Sequence, residues 1–332
     1  MSLTQDIKQK AIEFGFDLVG ITDASPLDRE HVQLFTDWLN SGYAGQMSYM
    51  HKNFEKRTNP AKLLENAQSV IIVGLNYTPP KTQTIPPDPA TPMGRVANYA
   101  QYEDYHLFIK KQLRKLIELI SSIVGAGLKF KICVDSAPLA ERALAARAGL
   151  GFIGKNHILI NPKLGPHILL SEIITNLKLK TDTPIKNNCS NCNKCIQACP
   201  TDALAPDGQL DANKCISYLT IEYKGQIQLD LAEKIGDWLF GCDECLLACP
   251  YQENAPVCKN GTPFCKESAK WEPNKQFKFY PDRAKLNLQD VLNLSDEGFD
   301  TKFADSPIKR LGLQRLKRNA KICLDNISPH LA

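Results

Sequence analysis

The chain contains the run Cys189-Ser190-Asn191-Cys192-Asn193-Lys194-Cys195-Ile196-Gln197-Ala198-Cys199-Pro200, which has the spacing C-x2-C-x2-C-x3-C-P. Three thiolates at this spacing can bind three irons of one cubane cluster. The fourth cysteine, just before proline, typically ligates the other cluster of a two-cluster ferredoxin. The run therefore predicts a second cysteine set farther along the chain. Residues 241–250 provide one with the spacing C-x2-C-x3-C-P, which is one cysteine short of a full set.

Cys215 lies between the two runs and completes a set of eight thiolates. Because one ligand of each run crosses to the other cluster, the first cluster is expected to bind Cys189, Cys192, Cys195 and Cys249. The second is expected to bind Cys199, Cys215, Cys242 and Cys245. Zinc is the alternative metal, but it needs only four ligands per site and has no use for a third cysteine and a C-P pair in each run. Ligand number and softness therefore predict two [4Fe–4S] clusters.

The composition is that of a globular protein with a weak positive charge. The chain has 332 residues, of which 43% are hydrophobic, and a net charge of +4, too small by itself to indicate a nucleic-acid partner. Cysteines clustered at metal-binding spacing indicate a reducing cytosol rather than disulfides. The first residues have no apolar signal core or twin arginine, and no stretch approaches about 20 apolar residues. We therefore expect a cytoplasmic protein without a membrane segment.

Strand-like and helical patterns alternate over residues 1–180, which predicts a mixed domain of α/β or α+β class. A ferredoxin-like domain with two clusters is expected over 181–265, and a short helical segment over 266–332. In that segment, Ser306 and Pro307 have the residue types of a helix start. The helix expected from Ser306 to Lys321 carries six positive charges and no acid. Such a helix is usually a solvated face, and contact with phosphate is the second interpretation.

The run from Gly149 to Asn156 matches G-x-G-x-x-G and resembles a phosphate-binding loop. Such loops need a strand before the glycines and a helix after them, because the helix N-terminus binds the phosphate. Here a helix is predicted before the run, over 138–148, and a strand after it. Nucleotide binding is therefore rejected, and the glycines are expected to let the backbone approach a large flat ligand.

Asp135 follows a predicted buried strand and precedes a predicted helix. From the residues alone, a cap of that helix is the preferred interpretation, and a general acid beyond the end of a strand is the alternative. His106 is a lone histidine and is expected to be structural or solvated. Cys133, in an apolar run, is expected to be a small buried hydrophobe.

Four blocks of sequence together resemble the epoxyqueuosine reductase family, over a region from Arg57 to Arg318. The blocks are residues 134–142 (VDSAPLAER), 149–156 (GLGFIGKN), 215–222 (CISYLTIE) and 241–245 (GCDEC). The resemblance implies a cobalamin-dependent enzyme with two clusters, related to reductive dehalogenases. It also implies the family's reaction, in which cob(I)alamin fed by the clusters reduces epoxyqueuosine to queuosine at the wobble position of tRNA. The alternatives are a reductive dehalogenase of a small organohalide and a non-catalytic electron-transfer protein.

The resemblance also assigns roles to residues. It places Asp135 at the position of the family's proton donor, which reverses the preference for a helix cap, and a donor of this kind is expected to be a buried acid with a raised pKa. The residues implied to line the cobalamin are Arg57, Asp135, Asn156, Ser217 and Gly241. Those expected to contact tRNA are Lys224, Arg310, Arg315 and Arg318.

The resemblance is incomplete in two places. Many relatives have a longer C-terminus of HEAT-like helical repeats, of which the basic segment resembles the start. Residues 163–167 (KLGPH) differ from the Gly-Ser-Trp expected in the family. The expected partners are tRNA bearing epoxyqueuosine and an unidentified low-potential electron donor, and the protein is expected to be a monomer.

Overall fold

The computed structural model describes residues 2–80, 91–186, 189–206, 208–252, 274 and 276–327. The α-helices of this part of the chain are α1 (Leu3–Glu13), α2 (Arg29–Asn40), α3 (Ser48–His51), α4 (Phe54–Thr58), α5 (Tyr105–Val124), α6 (Glu141–Arg147), α7 (Lys194–Gln197), α8 (Ile216–Ile221), α9 (Leu229–Ile235), α10 (Glu244–Leu247), α11 (Leu288–Asn293), α12 (Asp296–Lys302) and α13 (Leu313–Ile327). The strands are β1 (Leu18–Asp23), β2 (Ser69–Asn76), β3 (Met93–Val96), β4 (Phe130–Cys133), β5 (Phe152–Ile153), β6 (Leu159–Ile160), β7 (Ile168–Thr175), β8 (Trp238–Phe240) and β9 (Lys285–Asn287).

The main sheet has the strand order β1-β2-β7-β4 among the described residues, and every neighbouring pair is antiparallel. Strand β2 is a continuous apolar run that is buried throughout, as expected for a strand covered on both faces. One face packs against the apolar sides of α1 and α5, and the other against α6. The mixed fold class is confirmed, and the antiparallel pairing places the sheet in the α+β form of that class.

Strand β4 is at the edge of this sheet, where it pairs only with β7 among the described strands. Its first two residues, Phe130 and Lys131, are exposed, so the expectation of a buried strand before Asp135 is wrong. Cys133 is buried between the sheet and α6, which confirms its expected role as a small core residue.

A second sheet has the order β8-β3-β9 and takes one strand from each of the three predicted segments. Trp238 of β8 pairs with Arg95 of β3, and Leu286 of β9 pairs with Gly94. Helices α8, α9, α11 and α13 pack around this sheet. The proposed boundary at residue 180 falls in a described segment without helix or strand, whereas the boundary at 265 lies outside the described residues.

The basic segment forms two helices instead of the single helix expected. Ser306 caps a 3-10 helix (Pro307–Leu311) through a hydrogen bond that its Oγ accepts from the backbone N–H of Ile308. Gly312, with φ of 81°, ends that helix, and α13 begins at the next residue. The cap was therefore predicted correctly, but the glycine that divides the segment was missed.

Over the described part of the chain, no helix combines the length and the apolar character that crossing a bilayer requires.

Candidate active site and metal centre

Four cysteines from the two runs line one cavity of about 290 Å³. These are the four expected to bind the first cluster, Cys189, Cys192, Cys195 and Cys249. Burial raises the pKa of the Cys249 thiol, and the nearby thiols of the other three raise it further. The structure therefore brings the last cysteine of the second run to the first three of the first run, as crossed ligation requires.

The other four cysteines are also mutual neighbours. Burial raises the pKa of Cys215, and the charge of Cys199 adds to the effect. Burial and the charge of Cys215 raise the pKa of both Cys242 and Cys245. The backbone N–H groups of Ser217 and Tyr218, at the start of α8, donate hydrogen bonds to the Cys215 sulfur. Thiolates in such buried positions need positive charge nearby, which the irons of a cluster supply.

The cysteines of each group suit a cluster in kind and in number. Among the described residues, no three His, Cys, Asp or Glu side chains are grouped closely enough to hold a single metal ion. A [4Fe–4S] cluster takes four thiolates, and each of the two groups supplies four.

The glycine run follows α6, contains β5 and precedes β6, so a helix stands before the glycines and a strand after them, the order that excluded a nucleotide loop. Helix α6 begins at Glu141, three residues later than Pro138, where a helix was expected. The glycines are needed for contacts with the chain itself: a Cβ on Gly149 would clash with the carbonyl of Thr183, and one on Gly151 with the carbonyl of Ile160. These contacts give the glycines a role within the chain, and the expectation that they also make room for a flat ligand stays a prediction.

Asn156, at the end of the glycine run, connects it to the second cysteine set. Its side chain is buried, lines the cavity of the first cysteine set, and donates a hydrogen bond from Nδ2 to the carbonyl of Cys245 at 3.3 Å. The Oδ1 atom accepts a hydrogen bond from the backbone N–H of Ile158. Asn156 is therefore held between the two groups of cysteines.

Asp135 lies just beyond β4 in a backbone conformation that is rare for residues other than glycine, with φ of 55°. Its backbone N–H donates to Oε1 of Glu141 at 2.8 Å, which holds the loop in place. Its side chain does not cap α6, which starts without a side-chain cap hydrogen bond, so the helix-cap interpretation is wrong. Strained backbone of this kind is frequent at functional sites.

The carboxyl of Asp135 is neither buried nor of raised pKa, contrary to expectation. Its side chain is 56% exposed. A hydrogen bond with His106 lowers its pKa, and this effect outweighs the opposing effect of desolvation. Asp135 is therefore an anion at neutral pH unless a neighbouring group gives it a proton.

His106 is that neighbour, and its ring connects three charged side chains. Nδ1 lies 2.7 Å from Oδ1 of Asp104, and Nε2 lies 3.2 Å from Oδ2 of Asp135 and 2.7 Å from Nη1 of Arg310. The ring is almost completely buried and stacks on Tyr105 at 4.0 Å. The expectation of a structural or solvated histidine missed the contact with Asp135, because it joins residues 29 positions apart.

Two further acids near Asp135 have raised pKa values. Burial and the charge of Asp135 raise the pKa of Glu141 to about 8. Glu172 of β7 pairs with Cys133 of β4 and is fully buried, and burial raises its pKa well above the usual range. Neither carboxyl oxygen of Glu172 has a hydrogen-bond partner among the described residues. One sequence signal could have identified Glu172: it is the single charge in an otherwise apolar strand.

Unpartnered polar atoms of two other side chains lie beside the first turn of α6. The Nε atom of Arg57 and the Nε2 atom of His157 are buried without a partner in the described structure. Arg57 is connected to α6 because its carbonyl accepts from the N–H of Ala140, and His157 because its carbonyl accepts from Arg142. Together with the carboxyl of Glu172, these atoms are buried donors and acceptors without a hydrogen-bond partner among the described residues.

Ser217 and Gly241 lie close to the second cysteine set. Ser217 is in the first turn of α8, directly after Cys215 and Ile216. The N–H of Gly241 donates to Oγ1 of Thr220 at 3.0 Å. Gly241 has φ of 69°, and a Cβ there would lie 2.6 Å from the Cβ of Ala97. A larger residue at Gly241 would therefore disturb the start of the second run.

The basic residues expected to contact tRNA have different environments. Arg310 contacts His106, and Lys224 is exposed. Arg315 donates to the carbonyls of Leu311 and Ile221. Arg318 donates to the carbonyls of Leu219, Tyr223 and Gly225. Both arginines of α13 thus hold the last turn of α8, Arg318 also holds the segment after it, and their charge is not balanced by an acid in these contacts.

Comparison with known proteins places the chain in a family. Residues 57–136 match the family model described as "Epoxyqueuosine reductase QueG, DUF1730", and residues 188–252 match the "4Fe-4S double cluster binding domain". An epoxyqueuosine reductase of Leadbetterella byssophila is 40% identical over 316 residues, which cover 95% of this chain and 96% of that protein.

Solved structures agree with this assignment. A crystal structure of epoxyqueuosine reductase with an epoxyqueuosine-modified tRNA-Tyr stem loop has a TM-score of 0.86 and 30% identity, and the match covers 98% of this chain and 81% of that one. The Bacillus subtilis enzyme, solved with its catalytic aspartate loop swung out of the active site, has a TM-score of 0.85 and 29% identity, with the same coverage. Since the sequence and structural matches extend over nearly the whole chain, this protein belongs to the epoxyqueuosine reductase family.

Proposed function

We propose that this chain reduces epoxyqueuosine in tRNA to queuosine. The family assignment supports this activity, and a related structure was solved with an epoxyqueuosine-modified stem loop. The observation that carries the proposal is the position of Asn98 and Tyr99. The backbone N–H of Asn98 donates to Asp243, which is adjacent to Cys242, and the ring of Tyr99 contacts that of Tyr105, the neighbour of His106. Because His106 contacts Asp135, these residues connect the candidate proton donor to a candidate cluster ligand.

The eight cysteines hold the clusters in this proposal. One cluster binds Cys189, Cys192, Cys195 and Cys249. The other binds Cys199, Cys215, Cys242 and Cys245. The crossed grouping of the thiols and their burial support the assignment. An unidentified donor of low-potential electrons would reduce these clusters.

Cobalamin is proposed to bind between Asp135 and the cysteines. The buried, unpartnered atoms of Arg57, His157 and Glu172 fit the amide groups at the edge of a corrinoid, because together they can donate and accept hydrogen bonds. The other residues proposed to line it are Asn156, Ser217 and Gly241. When bound, cobalamin would deliver the electrons of the clusters to the epoxide carbon.

Asp135 is proposed to protonate the oxygen that leaves the carbon. Converting an epoxide to an alkene consumes two electrons and two protons and releases water, so the site must supply protons as well as electrons. The carboxyl is more than half exposed, and its contact with His106 gives it access to a second proton carrier.

The tRNA contacts proposed are Lys224, Arg310, Arg315 and Arg318, which carry positive charge that can attract phosphate. Because its proposed substrate is tRNA, the protein is proposed to act in the cytoplasm, and we propose that it does so as a monomer.

The proposal is tested by loading the protein anaerobically with iron, sulfide and cobalamin and then adding a strong reductant and tRNA that carries epoxyqueuosine. The tRNA is digested afterwards and its nucleosides are identified. Formation of queuosine only in the presence of cobalamin is expected. The Asp135→Asn variant should keep iron and cobalamin but lose about 10²–10⁴-fold in turnover, the usual contribution of a general acid. Near-normal turnover in Asp135→Asn would show that Asp135 is not the proton donor. If wild-type protein binds its clusters and cobalamin but forms no queuosine, the proposed function is wrong.

A further inference from the structure

His106 presents a single nitrogen to two groups with opposite requirements. The carboxylate of Asp104 accepts a hydrogen bond from Nδ1, so this atom carries a proton. Arg310 can only donate, so its Nη1, 2.7 Å from Nε2, requires a lone pair there. An ionised Asp135, with Oδ2 at 3.2 Å, requires a proton on the same Nε2 atom. Nε2 therefore cannot satisfy both neighbours in one protonation state.

The two states differ in the position of one proton. When Asp135 holds it, the ring is neutral, and Nε2 accepts hydrogen bonds from the Asp135 hydroxyl and from Arg310. When His106 holds it, the imidazolium donates to the Asp135 carboxylate and repels Arg310. Arg310 and Asp135 are about half exposed, at 52% and 56%, whereas the His106 side chain is 4% exposed. The buried ring thus lies between two groups that reach solvent.

We propose that His106 is a positioning residue that supplies the proton that Asp135 gives to the substrate. This inference rests on the proposed function. The Nε2 proton moves to Asp135, Asp135 gives it to the oxygen leaving the epoxide carbon, and the neutral ring accepts from Arg310. A proton from solvent restores the imidazolium. The relay moves protons only, and the electrons come from the low-potential donor named above.

The charges around the ring favour the imidazolium with an ionised Asp135 at rest. Burial opposes protonation of His106, but its hydrogen bonds to Asp104 and Asp135 outweigh burial and raise its pKa. The titratable and charged groups that face it are Asp104, Tyr105, Asp135, Glu141 and Arg310. The same contacts would also arise if His106 had only a structural role and held α5 against the 3-10 helix of the basic segment. The test must therefore distinguish a proton relay from a structural contact.

The first measurement is the titration of the His106 ring by 15N NMR in the full chain. In wild-type protein the His106 pKa should lie above the ordinary histidine value, and it should fall in Asp135→Asn and in Asp104→Asn. Arg310→Gln should raise it, because the repelling charge is removed, whereas Lys309→Gln, which changes a neighbouring cation paired with Asp300, should not. An unchanged titration in Asp135→Asn would overturn the relay. This measurement needs no substrate, so it tests the coupling between His106 and Asp135 that the relay requires even if the proposed function fails.

The second measurement is turnover of the loaded enzyme. His106→Gln should lower kcat by about 10²–10⁴-fold with KM for tRNA nearly unchanged, since the amide can form hydrogen bonds but cannot carry the proton. Imidazole added to His106→Gly should restore part of kcat, with a pH dependence that follows free imidazole. The control is His31→Gln, an exposed histidine paired with Asp28, which should keep full activity. The relay would be disproved by a normal kcat in His106→Gln or by a His106→Gly enzyme that imidazole does not rescue. Either result would show that the ring has only a structural role.

Discussion

Glu172 combines complete burial with a carboxyl group that has no hydrogen-bond partner among the described residues. Its pKa in the folded chain is raised well above 4.5 by burial and then by the charges of Glu141 and Asp135. The folded state therefore binds this proton more tightly than the unfolded state does. Below the unfolded pKa the associated stability is fully present, and it is lost as the pH rises towards the folded pKa.

We expect Glu172→Gln to remove the loss of folding stability that Glu172 causes as the pH rises. In cofactor-free protein at pH 8, the variant should be more stable than wild type by about 1–3 kcal/mol, because folding no longer has to protonate a carboxyl that is ionised in the unfolded chain. At pH 5 the difference should be smaller, since the unfolded carboxyl is then close to its own pKa and protonating it costs little. Urea unfolding at both pH values measures this, with Glu118→Gln on the exposed side of α5 as the control. Equal pH dependence in Glu172→Gln and wild type would contradict the assignment of a raised pKa.

At the residue scale, the sequence predicted the grouping of the cysteines better than the surroundings of Asp135. The cysteines follow short spacings in the chain, and the approach of Cys249 to the first run is part of the pattern itself. The neighbours of Asp135 depend on tertiary structure: Arg310 reaches His106 across 204 positions. Glu172 lies beside Cys133 through the register of two strands, so no local pattern specifies the pair.

At the level of elements, the two arginines of α13 attach it to the last turn of α8 and to the segment that follows. Arg318 donates to the carbonyls of Leu219, Tyr223 and Gly225, each at 2.8 Å. Sequence analysis assigned this arginine to tRNA because it counted charges along a helix. It could not show that carbonyl groups from another part of the chain use the same guanidinium.

We expect Arg318→Met to destabilise the protein by about 2–3 kcal/mol, because three carbonyls lose a charged donor while the apolar stem is retained. Chemical unfolding of the full chain measures the change. Lys321→Met, which removes an exposed charge from the same helix, is the matched control and should alter stability by less than about 0.5 kcal/mol. If the two variants were equally stable, the hydrogen bonds of Arg318 would not be holding the segment.

At the scale of the whole molecule, the second sheet joins distant parts of the chain. Strand β3 lies between β8, about 140 positions later, and β9, about 190 positions later. Short strands of three or four residues have little periodicity, which is why sequence analysis missed this sheet while predicting the long strands β2 and β7. The sheet places the start of the second cysteine run directly after β8, and Gly241 lies at that junction.

Crossed ligation makes a prediction about the whole assembly, because each cluster then joins both cysteine runs. Cys249→Ser and Cys189→Ser should remove the same cluster, although the two residues belong to different runs, and Cys199→Ser and Cys242→Ser should remove the other. Each variant should retain about half of the iron, and the reduced protein should show one of two distinct EPR signals. Cys323→Ala, in the apolar core around α13, should retain all of the iron. If each cluster instead used one run alone, Cys249→Ser would leave the same signal as Cys242→Ser, and the crossing would be disproved.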